Sequence, residues 1–122
     1  MEEGVLEMYK SIYGSDTDHP YIATSMSNLA LSYGELGQHM DALAMKKNVL
    51  EMRKRIYGAD ADHPEIAGDM NNLAITYYDL RLFDEGASCI EKSLAMYKVL
   101  GHPEAVATQR FLERRNIFWK IA

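Results

Sequence analysis

The sequence predicts an all-α fold, a right-handed α-solenoid of antiparallel helix pairs, and three observations predict it. The chain repeats itself: Val5 to Leu36 recurs 44 residues later as Val49 to Leu80, with 20 identities in 32 aligned positions, far beyond coincidence. Within the repeat, HPEIAGDMNNLAITYYDL from His63 to Leu80 places Ile66, Met70, Leu73, Tyr77 and Leu80 at alternating steps of four and three, which line one stripe of an α-helix. A His-Pro pair opens this stretch three times, at His19-Pro20, His63-Pro64 and His102-Pro103. A proline in the first helical turn gives up an N–H that would have no partner there, and it holds the preceding residue in the extended conformation of a cap.

The 122 residues fit one domain, 1–122, divided into a partial leading helix at 1–14, a first repeat at 19–58, a second at 63–100 and a terminal helix at 102–122. An apolar content of 48% is ordinary for a globular chain. The net charge of −5 argues against nucleic acid or an anionic membrane as partner, since both are bound through clustered Lys and Arg. No apolar run approaches the ~18 residues of a membrane span, and MEEGVLEMYK is acidic where a signal peptide is basic and then apolar. A soluble, cytoplasmic protein is therefore expected. The single cysteine, Cys89, has no internal disulfide partner and is expected to be a buried thiol.

Taken in order, Val5 to Tyr13 matches Val49 to Tyr57, the second half of a helix in the later copy, so the chain opens inside a repeat. Gly14 and Gly58 end these helices, and polar segments carry the chain to the next His-Pro. Pro20 to about Leu36 is the first complete helix, of a kind we term A, and Gly37-Gln38 turns the chain. Met40 to Tyr57 is its B partner. It has one stripe of Ala42, Met45, Val49, Met52 and Ile56 and a second of Leu43, Leu50 and Tyr57, the wide apolar face of a helix with two neighbours. Copy two repeats this with Pro64 to Leu80 and Phe83 to about Leu100, whose B stripe of Gly86, Cys89, Ser93, Met96 and Leu100 is smaller and permits closer approach. The third A helix, Pro103 to about Lys120, arrives 39 residues after the second and diverges, with Glu113 at the place of Ala74 and Asn116 at that of Tyr77. A terminal helix diverges in this way. Ile117, Phe118, Trp119 and Ile121 make its tail apolar, so it is expected to fold back or meet another chain.

The repeat resembles the tetratricopeptide repeat. That family's pattern of Leu, a small residue and Tyr in the A helix and a small residue early in the B helix is met by Leu29, Ala30, Tyr33 and Ala42, then by Leu73, Ala74, Tyr77 and Gly86. The His-Pro opening, the N-L-A core at Asn28 to Ala30 and Asn72 to Ala74, and the long period are similar to the repeats of kinesin light chain. Lys46, His39 and Arg81 depart from the pattern, at places usually held by an aromatic, by Tyr or Phe, and by Gly. The resemblance implies a non-enzymatic protein-interaction module with a concave groove, lined by A helices, that holds a partner peptide.

Helical geometry at ~100° per residue puts Gly68, Asn71, Ile75 and Tyr78 opposite the packing stripe, flanked by Asn72 and Asp79. The matching set in copy one is Thr24, Ser27, Leu31 and Gly34, flanked by Asn28 and Glu35. Leu31 and Ile75 are apolar residues on a polar face. Asparagine offers a donor and an acceptor to one extended peptide residue. Neighbouring A helices about 10 Å apart would let Asn28 and Asn72 hold one strand at two points; the same asparagines could equally bond to the adjacent repeat. The groove is expected to be acidic at Glu35 and Asp79 and to turn basic at Arg110 and Arg114 if the third A helix keeps the same facing. Complementarity then selects a basic-apolar peptide, with an apolar anchor against Leu31, Ile75 or Tyr78.

No catalytic, metal or cofactor site is expected. The recurring histidines lie a full repeat apart, where metal ligands would have to converge. Asp16, Asp18, Asp60 and Asp62 lack the glycine and closing Glu of a calcium loop, and there is no phosphate-loop or nucleophile motif. Two full pairs fall below the about three repeats such stacks need, so self-association through the terminal helices is expected. The alternative to a peptide groove is a scaffold or sensing array, as in multidomain signalling proteins that carry similar repeats, with no short-peptide ligand.

Overall fold

The computed structural model describes the backbone of residues 2–13 and 18–121, and side chains of residues 3–12 and 18–114. Among the described residues there are six helices and no strand: α1 (Glu2–Tyr13), α2 (Pro20–Glu35), α3 (His39–Tyr57), α4 (Pro64–Asp79), α5 (Phe83–Leu100) and α6 (Glu104–Ile121). The helix-pair architecture read from the sequence is thus the one observed, with helix ends shifted by a residue. Gly14 and Asp16 lie outside the described residues, as do the side chains of Asn116, Ile117, Phe118, Trp119 and Ile121.

Each His-Pro works as a cap. His19 and His63 are extended, at φ −143° and −141°, and their Nδ1 atoms accept the backbone N–H of Tyr21 and Glu65 at 3.1 Å. His102 accepts that of Glu104 at the same distance. The imidazole does here what Ser or Asp does at most helix starts, satisfying one of the free N–H groups of the first turn. The A helices end in tight turns that need a left-handed residue, supplied by Gly37 at φ 77° in copy one and by Arg81 at φ 61° in copy two.

The chain forms two compact units, residues 1–61 and 62–122. In the first, α2 packs on α1 and on α3 around Leu6, Ile22 and Leu29, with Tyr9, Met26, Tyr33, Met45 and Met52 against them. Arg53 near the end of α3 donates to Thr24 Oγ1 near the start of α2 at 3.5 Å, so the pair runs antiparallel. In the second unit α5 packs on both α4 and α6, as its broad apolar face demands. Its core is Ala74, Tyr78, Ile90, Leu94 and Leu112, with Phe83, Cys89, Ala105 and Phe111 packed on it. Ser93 Oγ donates to the Ala67 carbonyl at 2.8 Å, which again sets a late α5 residue beside an early α4 one. Cys89 is only partly buried.

Candidate functional site

Unit two contains an open cleft of about 450 Å³ between its two A helices. Asn71 and Ile75 of α4 form one wall, Glu104, Ala107, Thr108 and Phe111 of α6 form the other, and Ile90 of α5 lies at the base. The walls are held from behind. Tyr78 is buried and its ring centroid lies 6.0 Å from that of Phe111, edge on, and 6.0 Å from that of Phe83. Room for Tyr78 exists because residue 86 is glycine: a Cβ there would stand 3.1–3.2 Å from three atoms of the tyrosine ring.

The Asn71 amide is the polar centre of the cleft. Its Nδ2 donates to Thr108 Oγ1 at 3.4 Å, and its Oδ1 is buried without a hydrogen-bond partner. Turning the amide over would give Oδ1 the Thr108 hydroxyl and leave the NH2 short instead, so either orientation leaves one strong polar group unpaired. A buried polar group without a partner costs roughly 1–3 kcal/mol. At the mouth Glu104 is exposed and brings a negative charge. Behind it, burial pushes the Tyr97 hydroxyl above its usual range, and the carboxylates of Glu104 and Asp69 push it further.

The residues expected from the sequence are distributed unevenly around this cleft. Asn71 and Ile75 line it, and Ile75 is 45% exposed as an apolar residue on an outer face. Asn72 is half-buried and Asp79 exposed on the same helix. Tyr78 differs: read as an exposed anchor, it is 9% exposed and belongs to the core, drawn inward by Gly86, Phe83 and Phe111. On α2, Leu31 is 49% exposed, Asn28 and Glu35 are exposed, and Ser27 is half-buried. Arg110 and Arg114 are exposed. Arg110 does not share the cleft: it lines a separate hollow with Lys98, Ala105, Val106, Gln109 and Glu113, on the opposite side of α6 from Thr108 and Phe111.

Sequence reasoning missed the far wall and the floor, Glu104, Ala107, Thr108, Phe111 and Ile90. At the 39-residue spacing Asn71 and Ile75 correspond to Arg110 and Arg114, but a groove between parallel neighbours is lined by one face of the first helix and a different face of the second. The counterparts of Thr108 and Phe111 in copy two, Asp69 and Asn72, were the positions to project.

Among the described residues no group of His, Cys, Asp and Glu could hold a metal ion, and no helix is long and apolar enough to cross a membrane. The family model of the tetratricopeptide repeat matches residues 21–98, spanning nearly all of both complete helix pairs. No curated protein matches the chain.

Proposed function

Because this chain belongs to the tetratricopeptide repeat family, whose repeats mediate protein–protein interaction, we propose that the cleft of unit two holds an extended peptide from a partner protein. The observation that carries this reading is the half-buried Asn71, held by Thr108 with its side-chain oxygen one hydrogen bond short, beside an open space with apolar walls. An apolar side chain of the peptide enters between Ile75 and Phe111 over Ile90, the peptide backbone pairs with Asn71, and Glu104 favours a basic residue next to the anchor. On α2, Ser27, Asn28, Leu31 and Glu35 present the same kind of surface, one apolar residue among polar ones with an acidic end, and we assign them to partner contact as well. The long period and the His-Pro openings support the kinesin light chain-like type, while the acidic Glu104 separates this site from a groove for acidic peptides. We read the protein as a cytoplasmic adaptor module.

Fluorescence anisotropy with a basic-apolar peptide and an acidic, tryptophan-containing one tests this. The basic-apolar peptide is expected to bind more tightly and to weaken with salt. Asn71→Ala and Ile75→Glu are each expected to weaken it by about tenfold or more while helicity by circular dichroism stays unchanged. Preference for the acidic peptide, or indifference to Asn71→Ala, refutes the assignment; failure of both peptides to bind favours the scaffold reading.

A further inference from the structure

His102 holds the far wall of the cleft at its root. Its Nδ1 accepts the Glu104 N–H at 3.1 Å and its carbonyl accepts the Ala105 N–H at 3.0 Å, which fixes the first turn of α6. Glu104 and Ala107, in that turn and just beyond it, both line the cleft. The imidazole lies against Tyr97 of α5, with ring centroids 5.0 Å apart and planes at 32°. An Nδ1 that accepts carries no proton, so the cap needs the neutral ring with its hydrogen on Nε2. A second proton turns Nδ1 into a donor facing another donor, and it sets a positive charge at the positive end of a helix. His63 caps α4 in the same manner, but α4 lines the cleft only from Asn71, about two turns further on.

The charged and titratable groups around His102 are Glu104 on its own helix and Tyr97 on α5, with Asp69 of α4 acting on the same phenol. Lys98 of α5 lines the hollow on the other side of α6. Tyr97 keeps its proton throughout, since burial and the carboxylates of Glu104 and Asp69 hold it above its usual range. We propose that His102 is a proton-operated release for the peptide of the cleft: on gaining a proton it drops its cap on Glu104 and becomes a cation that competes with the peptide's basic residue for the Glu104 carboxylate. The inference rests on the cleft holding a basic-apolar peptide. Two routes lead in the same direction. Where the imidazolium stays on Tyr97, whose ring attracts cations, the first turn of α6 is left uncapped and the wall loosens. Where it swings to Glu104, it takes the charge that the peptide would use. By either route affinity for a basic peptide falls as pH is lowered through the range in which histidines gain charge.

The test is fluorescence anisotropy at constant ionic strength, with an end-blocked peptide containing only Lys, Arg and apolar residues. Between about pH 8 and about pH 5.5 the parent chain is expected to lose affinity by about three- to tenfold. His102→Asn puts a cap that does not titrate in the same place. It is expected to bind as the parent does at the higher pH and to keep that affinity to within about twofold at the lower. In NMR spectra of the chain without peptide, the Glu104 amide is expected to move with pH in the parent and to stay in place in His102→Asn. Equal affinity of the parent at both pH values, an equal loss in His102→Asn, or a Glu104 amide that ignores pH in the parent overturns the proposal. The cleft reading fails separately. A peptide whose binding is lost in Ile75→Glu but is indifferent to pH leaves the cleft standing without the release, whereas no binding at either pH removes both.

Discussion

The pairs α2–α3 and α4–α5 have the same backbone plan and fill it differently. Near the open end of the pair, copy one sets Arg53 against Thr24, joined by a hydrogen bond; at the matching positions copy two sets Tyr97 against Gly68, where a Cβ would stand 3.7 Å from the tyrosine oxygen. Near the turn, copy one has Gly34 and Ala42, and copy two has Tyr78 and Gly86. In the middle Val49 is replaced by Ser93, which bonds a carbonyl of its A helix, and the buried Lys46 by the buried Ile90. At both ends of the helix pair the substitutions therefore come in facing pairs. What is kept from one repeat to the next is the filling of each gap between helices, as close packing requires, and not the residue at each position. The consequence reaches the cleft: the Tyr78–Gly86 exchange props Phe111 against it, and Ile90 gives it an apolar floor.

The largest effect should separate the two copies at the turn-side pair. Tyr78→Ala removes a buried aromatic and is expected to cost about 3–5 kcal/mol by chemical denaturation. The matching change Gly34→Ala meets nothing within 4 Å and is expected to stabilise by up to about 1 kcal/mol through helix propensity. Gly86→Ala sharpens the test, because its sign should depend on residue 78. Alone it pushes the Tyr78 ring and destabilises by about 1–2 kcal/mol; in a Tyr78→Ala background it stabilises by about 1 kcal/mol. Additivity between the two sites would break the claim that the repeats vary in facing pairs.

Much of the helix architecture was legible because it is written in contiguous residues: the three-four spacing, the prolines and the 44-residue echo all act within a helix or its cap. The cleft was half legible. Asn71 and Ile75 stand out on one helix by spacing alone, whereas Thr108 and Phe111 acquire meaning only once α6 is set beside α4. Tyr78 was misplaced because a helical wheel records direction and not what waits across the gap. The signal that could have corrected it was present in Gly86, a glycine facing a tyrosine in copy two where copy one has alanine facing glycine.

The turns provide a smaller contrast. Gly37 and Arg81 occupy the same left-handed position, free of cost for glycine and worth roughly 1–2 kcal/mol of strain for a residue with a Cβ. Arg81→Gly is expected to recover about 1 kcal/mol of that, and Gly37→Arg to lose a similar amount. Equal stability of both variants and the parent would mean that the two turns differ in more than this residue.

The smallest effect concerns an exposed ion pair of copy one, Arg55 with Asp18. Arg55 grips Asp18 through two bonds, Nε to Oδ2 at 2.8 Å and a terminal nitrogen to Oδ1 at 3.0 Å, while the corresponding positions in copy two are Asp62 and Val99. The Arg55 hydrogen bond holds the Asp18 carboxyl below its usual range, so folding favours its charged form. Stability from this pair is then fully present above the carboxyl's unfolded value and is lost as pH falls through the lowered folded one. Since both side chains face water, salt and side-chain entropy keep the contribution small. NMR titration of the Asp18 carboxyl is expected to show the lowered midpoint, and Arg55→Ala to raise it toward the ordinary aspartate value with little change in the unfolding transition at neutral pH. A large loss of stability in that variant would show that the pair organises the α2 start rather than decorating it.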